Sequence, residues 1–210
     1  MELQITKELI LKDFKLKDED VLNIYPFGSR VYGTHSYQSD HDFVIVMKGG
    51  AQDLDSLSSS YNNLNATVYS QASFLEKIGR HVVSVMECVS LPSTKLIKNS
   101  YQFQFSIHLP TLRESISAKA SHSWVKAHKK FEVPQDRNVY TAKKSLFHSL
   151  RIINFGIQIA THGKIIDYSS CTQLWLDILS NPAENWAEYG KLYKNKYNND
   201  MTSFRRLAHK

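Results

Sequence analysis

The sequence from Phe27 to Met47 reads FGSRVYGTHSYQSDHDFVIVM, and this stretch decides which fold the chain can adopt. Gly28 and Ser29 are followed, 11 residues after the serine, by two aspartates, Asp40 and Asp42. The second aspartate opens an apolar run typical of a buried β-strand. Residues i and i+2 of a strand point to the same face. The spacing therefore predicts two carboxylates that project together at the start of a strand.

Two carboxylates on one face repel each other unless a cation lies between them. Oxygen ligands in this arrangement suit Mg²⁺, which binds through one or two carboxylates and the phosphates of a substrate. A Gly-Ser turn before a helix can offer backbone N–H groups and a hydroxyl to a polyphosphate. Together the two halves predict a site for a metal-bound NTP. The alternative is that these residues are ordinary turn and cap residues.

These motifs resemble the DNA polymerase β-type nucleotidyltransferase superfamily. The chain is most similar to small predicted nucleotidyltransferases of bacteria, phages and some eukaryotes, some of them linked to RNA repair. Later segments carry the resemblance further, so that it covers roughly residues 20–208. They are the stretch from Asn65 to Ser70 with Phe74, the trio Lys144, His148 and Arg151, and Gly163-Lys164-Ile165.

The resemblance implies a role for each matching residue. Asp40 and Asp42 would ligate Mg²⁺ or Mn²⁺, and Gly28 and Ser29 would hold the phosphates of an NTP. Arg30 would contact the triphosphate or, alternatively, brace the turn. Lys144, His148 and Arg151, which also match the family, would contact the phosphates of the nucleotide or, alternatively, RNA.

One position departs from the family pattern. The superfamily places a third carboxylate on a later strand, and Asn65 aligns there. An amide offers a carbonyl oxygen to a metal but carries no charge and is not a base. Three alternatives stay open: another acid substitutes, the metal alone activates the acceptor, or the chain binds nucleotides without catalysis. The nearby acids are Asp53, Asp55, Glu76 and Glu87.

The positive charge of the chain is concentrated in one segment. The net charge is +6, and residues 113–151 contain nine Lys or Arg against three Asp or Glu, which accounts for all of it. Such localised basicity indicates a polyanionic partner, RNA or another polyanion. Lysines recur on one predicted helix face, and Lys144, His148 and Arg151 fall opposite the apolar stripe of the next helix. The alternative is a solvated surface. The predicted nucleic-acid contacts are Lys119, Lys126, Lys129 and Lys130.

Composition narrows the class of protein further. The 210 residues are 42% apolar and 11% aromatic, which excludes a disordered chain. Cys88 and Cys171 show no metal-type spacing, and free thiols in a reducing compartment are expected. No apolar run approaches the roughly 20 residues of a membrane span. A cytoplasmic or other intracellular location without membrane association is predicted.

The pattern of elements predicts an α+β fold. A small mixed-sheet nucleotidyltransferase domain, palm-like, is expected over residues 1–109 and an all-helical basic domain over 110–210. Expected strands cover 23–27, 42–47, 66–69 and 101–107, with a polar loop at 49–60. Expected helices cover 71–79, 110–131, 139–162, 172–180 and 183–197, and the Asn-rich end at 195–200 is expected to be poorly ordered.

The sequence predicts an Mg²⁺-dependent nucleotidyltransferase (EC 2.7.7 type) that moves an NMP from an NTP to an acceptor hydroxyl, such as an RNA end. The alternative is a catalytically degenerate member of the same fold that acts as an RNA-binding or assembly module. The base of the NTP, the acceptor and the oligomeric state stay open.

Overall fold

A computed structural model of the protein describes residues 5–49, 54–59 and 63–209. The chain divides into two compact units, Met1–Phe105 and Ser106–Lys210. The sequence-based boundary near Pro110 falls a few residues later, just inside the first helix of the second unit. None of the described helices combines the length and the apolar character needed to cross a membrane.

The first unit is a five-stranded mixed sheet with helices on both faces. The strands lie in the order β3-β4-β2-β1-β5. Strands β2 and β4 are parallel, and every other neighbouring pair is antiparallel. In chain order the elements are α1 (Lys7–Asp13), β1 (Val21–Phe27), α2 (Ser29–Tyr32), β2 (His41–Met47), β3 (Leu54–Ser59), β4 (Leu64–Ser70), α3 (Gln71–Gly79), α4 (Val83–Val89) and β5 (Lys98–Asn99).

Strand β2 is buried on both faces, which explains its uninterrupted apolar run. Phe43 and Ile45 belong to a cluster that packs against α1. Val44 and Val46 belong to a second cluster with residues of α3 and α4. A strand covered on both sides has no solvent-facing positions and therefore lacks alternation. Asp40 and Asp42 therefore lie at the N-terminal edge of β2, where the two apolar clusters end.

The second unit consists of helices α5 (Leu109–Glu132), α6 (Val139–His162), α7 (Thr172–Ser180) and α8 (Trp186–Leu207). Helix α6 begins where the Asn138 side chain accepts a hydrogen bond from the Thr141 N–H, and it ends at Gly163 with φ of 74°. Helices α5 and α6 can approach closely because Gly156 has no side chain. A Cβ at this position would lie only 2.8 Å from Ile116. With the sheet of the first unit, this helical second half confirms the predicted α+β class.

Three local expectations were wrong. The described part of the expected 49–60 loop, Leu54–Ser59, is strand β3, because its backbone pairs with β4 despite its polar sequence. Residues 101–107 form no strand, and the sheet ends instead at β5 (Lys98–Asn99). The Asn-rich stretch 195–200 lies within α8, where Met201 and Phe204 are buried and hold the helix to the unit.

Candidate active site

The Gly28 turn and Asp42 are in direct contact at the end of the β1–β2 pair. Phe27, the last residue of β1, pairs with Asp42 in β2. Gly28 has φ of 76° and ψ of −154°, a conformation that other residues rarely adopt. A Cβ at Gly28 would overlap Oδ2 of Asp42 and lie 3.1 Å from the Cβ of Asp42. Glycine is therefore required twice at this position, for its backbone angles and for the space that the carboxylate occupies.

Ser29 begins the one-turn helix α2 immediately after Gly28. The N–H groups of Val31 and Tyr32 donate to the Gly28 carbonyl, and the Thr34 N–H donates to the Ser29 carbonyl at 2.9 Å. These bonds fix the turn, while the Ser29 side chain is half-buried. Its hydroxyl makes no hydrogen bond within the described part of the chain. A hydroxyl held in this way, next to an acidic pair, can donate to a phosphate oxygen.

Arg30 fixes the loop that carries the first aspartate. Its Nη2 donates to the Ser39 carbonyl at 3.0 Å and its Nε donates to the Asp40 carbonyl at 3.4 Å. The bracing alternative is thus the one with contacts in the structure. A contact between Arg30 and a triphosphate stays a prediction.

Asn65 lies beside both aspartates because β4 runs parallel to β2. The register places Asn65 opposite Asp42, and its Nδ2 donates to Oδ2 of Asp40 at 3.1 Å. Asp40 precedes β2 and is exposed, whereas Asp42 and Asn65 are half-buried. The Asn65 amide thus gives one oxygen of the Asp40 carboxylate a hydrogen-bond donor. Because an amide is uncharged, it does not neutralise the negative charge of the two aspartates.

The donor set fits a hard divalent cation. Two carboxylates and an amide supply only oxygen ligands, which Mg²⁺ prefers, and they leave positions for substrate phosphates. No group of three His, Cys, Asp or Glu side chains suited to a metal occurs among residues 5–49, 54–59 and 63–209. The described site thus contains a carboxylate pair rather than a carboxylate triad.

The other candidate acids do not supply a third ligand to this pair in the described structure. Glu76 is exposed and pairs with Arg80 one turn away on α3. Glu87 is buried in α4 and accepts a hydrogen bond from the Tyr32 hydroxyl. Asp53 lies outside the described residues, and the side chain of Asp55 is likewise not described.

The contact between Tyr32 and Glu87 is a feature that sequence reasoning missed. Both side chains are only 3% exposed, so the carboxylate anchors α2 from within the unit. The sequence signal was an acid inside the apolar run Val82–Val89. Burial raises the pKa of the neighbouring Cys88 thiol well above its usual range, and the Glu87 charge adds to this effect. Cys88 therefore stays protonated. Both Cys88 and Cys171 are free, as the sequence predicted.

The three basic residues predicted on α6 lie at different depths. Lys144 is exposed, His148 is half-buried and Arg151 is 4% exposed. Nη2 of Arg151 lies 3.5 Å from Nδ1 of His148, and the guanidinium lies over the Phe155 ring. Arg151 therefore belongs to the interior of the unit, whereas the sequence pattern placed it on a face opposite the apolar stripe. Depth differs along one helix face because neighbouring elements cover only part of that face.

His148 is surrounded by cations. Burial lowers the pKa of His148 well below its usual range, and the positive charges of four neighbours lower it further. The imidazole is consequently neutral at physiological pH and adds no positive charge to the basic segment. The four neighbours are Arg151, Lys144, Lys119 and Lys126.

The lysines of the segment 113–151 divide into exposed and engaged ones. Lys119, Lys126 and Lys129 on α5 are exposed, whereas Lys130 forms an ion pair with Asp136. Lys143 is buried and donates to the carbonyls of Leu179 and Asn181 at 3.1 and 2.7 Å. Lys143 therefore completes the end of α7, a role that its sequence position did not reveal.

Comparison with known proteins shows a similarity over the part of the chain that contains this site. The family model described as "Nucleotidyltransferase domain" matches residues 7–108. This range contains the Gly28 turn, both aspartates and Asn65. A search of curated proteins found no match to the chain.

Proposed function

Residues 7–108 belong to the polymerase β-type nucleotidyltransferase superfamily, and from this premise we propose that the protein transfers an NMP from an NTP to an acceptor hydroxyl with the help of Mg²⁺ or Mn²⁺. The observation that carries the proposal is the contact between the Asp42 carboxylate and the Gly28 turn. Through this contact a carboxylate that can bind a metal lies next to a turn that can bind phosphate. Asn65 connects Asp40 to the same place, because it lies opposite Asp42 and donates a hydrogen bond to Asp40.

Each residue has a defined task in this reaction. Asp40 and Asp42 hold the metal, and the Ser29 hydroxyl with the backbone at Gly28 binds the outer phosphates of the NTP. Arg30 keeps Asp40 in position through its bonds to the Ser39 and Asp40 carbonyls. A metal bound there would supply Lewis-acid chemistry, which lowers the pKa of the acceptor hydroxyl and neutralises the charge that develops on the leaving pyrophosphate.

We infer that the acceptor is an RNA end. The support for this inference is the concentration of the entire net charge in residues 113–151 and the exposure of Lys119, Lys126 and Lys129 on one helix. Phosphate groups are the common polyanionic partner of such surfaces.

The amide at residue 65 favours a second candidate, an RNA-binding module that retains the fold without turnover. Asn65 cannot act as a base, and its Nδ2 rather than its carbonyl oxygen is directed at Asp40. The variant Asn65→Asp separates the two candidates. Gain of transfer by Asn65→Asp from an inert parent supports the module, and transfer by the parent protein removes it.

The decisive experiment is a transfer assay with NTPs labelled at the α-phosphate, Mg²⁺ or Mn²⁺, and a panel of RNAs with free 3′ or 5′ hydroxyls. We expect label on the RNA with the wild-type protein and a loss of about 100-fold or more for Asp42→Asn. Asp20→Asn is the matched control, because Asp20 is an exposed carboxylate in a turn before β1. Transfer that survives Asp42→Asn, or that is absent with every NTP and RNA, refutes the proposal. A γ-phosphate label that appears on the RNA would instead identify phosphoryl transfer.

A further inference from the structure

Helices α5 and α6 form an antiparallel hairpin whose register is fixed by one close contact. Only six residues separate the two helices, and Gly156 lies against Ile116. Because the helices are antiparallel, each step from Gly156 toward the start of α6 corresponds to one step from Ile116 toward the end of α5. With a rise of about 1.5 Å per residue, Lys119 comes within about 3 Å of the level of Arg151, and Lys126 within about 3 Å of the level of Lys144.

The hairpin therefore carries basic groups from both helices around His148. We call Lys119, Lys126, Lys144, His148 and Arg151 the hairpin strip. In the part of the chain that the structure describes, none of its three lysines forms an ion pair with a carboxylate. The positive charges of Arg151 and of the three lysines all act on His148. Three exposed lysines grouped in this way, with no carboxylate paired to them in the described structure, attract an anionic partner.

The residues of the strip on α6 differ in depth. Lys144 is exposed, His148 is half-buried and Arg151 is almost fully buried. Nδ1 of the neutral His148 can accept a hydrogen bond from Nη2 of Arg151, which lies 3.5 Å away. The imidazole thus orients the guanidinium without adding to the positive charge. Lys144 and Arg151 are seven positions apart along the helix, which corresponds to a length of about 10 Å.

An exposed aromatic ring continues the strip at its open end. Tyr140 precedes Lys144 by one helical turn and therefore lies on the same face of α6. Its side chain is 56% exposed, and its ring makes an edge contact with Trp175 that fixes its position. An exposed aromatic ring beside basic side chains suits single-stranded nucleic acid, because the ring can stack on a base while the cations contact the backbone.

We propose that the hairpin strip, with Tyr140, is the site that binds the phosphodiester backbone of a single-stranded RNA, with one base stacked on Tyr140. The proposal rests on the proposed function and extends it, since it names the part of the molecule that holds the acceptor. It assigns Lys144, His148 and Arg151 to the RNA rather than to the NTP.

The test measures RNA binding without NTP or metal, so that it does not depend on catalysis. The probe is a fluorescein-labelled single-stranded RNA of 12 nucleotides, followed by anisotropy on the full chain between 50 and 200 mM salt. The variant Lys119→Ala/Lys126→Ala/Lys144→Ala removes three exposed charges and leaves buried Arg151 in place. The matched control is Lys164→Ala/Lys191→Ala/Lys194→Ala, which removes three exposed lysines of the same unit.

We expect the strip variant to lose about ten-fold or more in affinity at 50 mM salt. Three contacts at about 0.7 each lower the salt slope by about 2, so that the variant is about 20-fold less sensitive to the change from 50 to 200 mM salt. The control should change affinity by less than about two-fold. Tyr140→Ala should weaken binding about five-fold or more, whereas Tyr140→Phe, which keeps the ring, should bind like the wild type.

Equal losses in the strip and control variants overturn the proposal, and so does binding unaffected by Tyr140→Ala. A strip variant whose Mg·NTP affinity falls as much as its RNA affinity also overturns it, because the cations would then belong to the nucleotide. The two proposals fail separately. RNA binding through the strip without nucleotidyl transfer refutes the proposed function alone, and transfer with an inert strip refutes the present proposal alone.

Discussion

Replacement of Gly28 by alanine should damage the protein in a way that identifies the Asp42 contact. The alanine Cβ would occupy the position of Oδ2 of Asp42 and lie 3.1 Å from both Cβ and Cγ of that residue. Asp42 belongs to a buried strand and cannot move away freely, because its backbone is paired on both sides with Phe27 and Asn65. The carboxylate must therefore rotate or the turn must shift.

Two terms contribute to the cost. A non-glycine residue at φ of 76° and ψ of −154° costs about 1–3 kcal/mol. Forcing an atom into an occupied site costs about 1–3 kcal/mol more. We expect Gly28→Ala to lower the free energy of unfolding by about 2–6 kcal/mol. Gly163 is the control, since its φ is 74° with no atom within 4 Å of an added Cβ, so Gly163→Ala should cost only about 1–2 kcal/mol.

The assay is urea unfolding followed by far-UV circular dichroism. Tryptophan fluorescence gives a separate record of the second unit, because all three tryptophans lie there. A double-mutant cycle with Asp42→Ala isolates the contact. In that background Gly28→Ala should cost about 1–3 kcal/mol less than in the wild type, since the overlapping oxygen is gone. Gly28→Ala should also abolish metal-dependent NTP binding.

The reasoning is refuted by either of two results. In the first, Gly28→Ala costs no more than Gly163→Ala, so the carboxylate does not occupy the space beside the turn. In the second, the cost of Gly28→Ala is the same with and without the Asp42 carboxylate, so the damage comes from the backbone alone.

Three further outcomes are expected. Asp42→Asn should lose the thermal shift that Mg²⁺ plus NTP gives the wild type, which corresponds to about 2.7 kcal/mol of stabilisation at a ligand concentration of 100 times the dissociation constant. Mg²⁺ alone should shift the melting temperature of neither protein. An equal shift of the variant and the wild type with Mg²⁺ plus NTP contradicts the metal site. Tyr32→Phe removes a donor from the buried Glu87 carboxylate and should cost about 1–3 kcal/mol in urea unfolding, and an unchanged midpoint would show that the bond is unimportant. Because the pKa of His148 is lowered in the folded state, the unfolded chain takes up a proton below about pH 6.5 that the folded chain refuses. The free energy of unfolding therefore falls as the pH drops through 6.5, by up to about 1.4 kcal/mol per pH unit from this group. In unfolding curves measured from pH 7.5 to 5, His148→Gln should make this pH dependence less steep. An unchanged slope contradicts a lowered pKa for His148.

Local sequence determined much of the framework. Helices α3 and α7 begin and end where the sequence predicted, because apolar periodicity and the Ser70 cap act within a few residues. The apolar run after Asp42 determined a doubly covered strand in the same way. The glycine, the serine and the two aspartates could be selected as candidates from their spacing alone. Each of these inferences depends on chemistry between residues that are near in the chain.

Tertiary structure decided what lies across from each candidate. The parallel register of β2 and β4 puts Asn65 opposite Asp42, and a shift by one residue would have turned that amide to the other face. Strand β3 exists despite a polar sequence because β4 supplies backbone partners. Similarly, Lys144 and Arg151 share one helix face, yet one is exposed and the other is buried. Register and depth arise from contacts between distant segments, and a pattern of residue types along the chain does not specify those contacts.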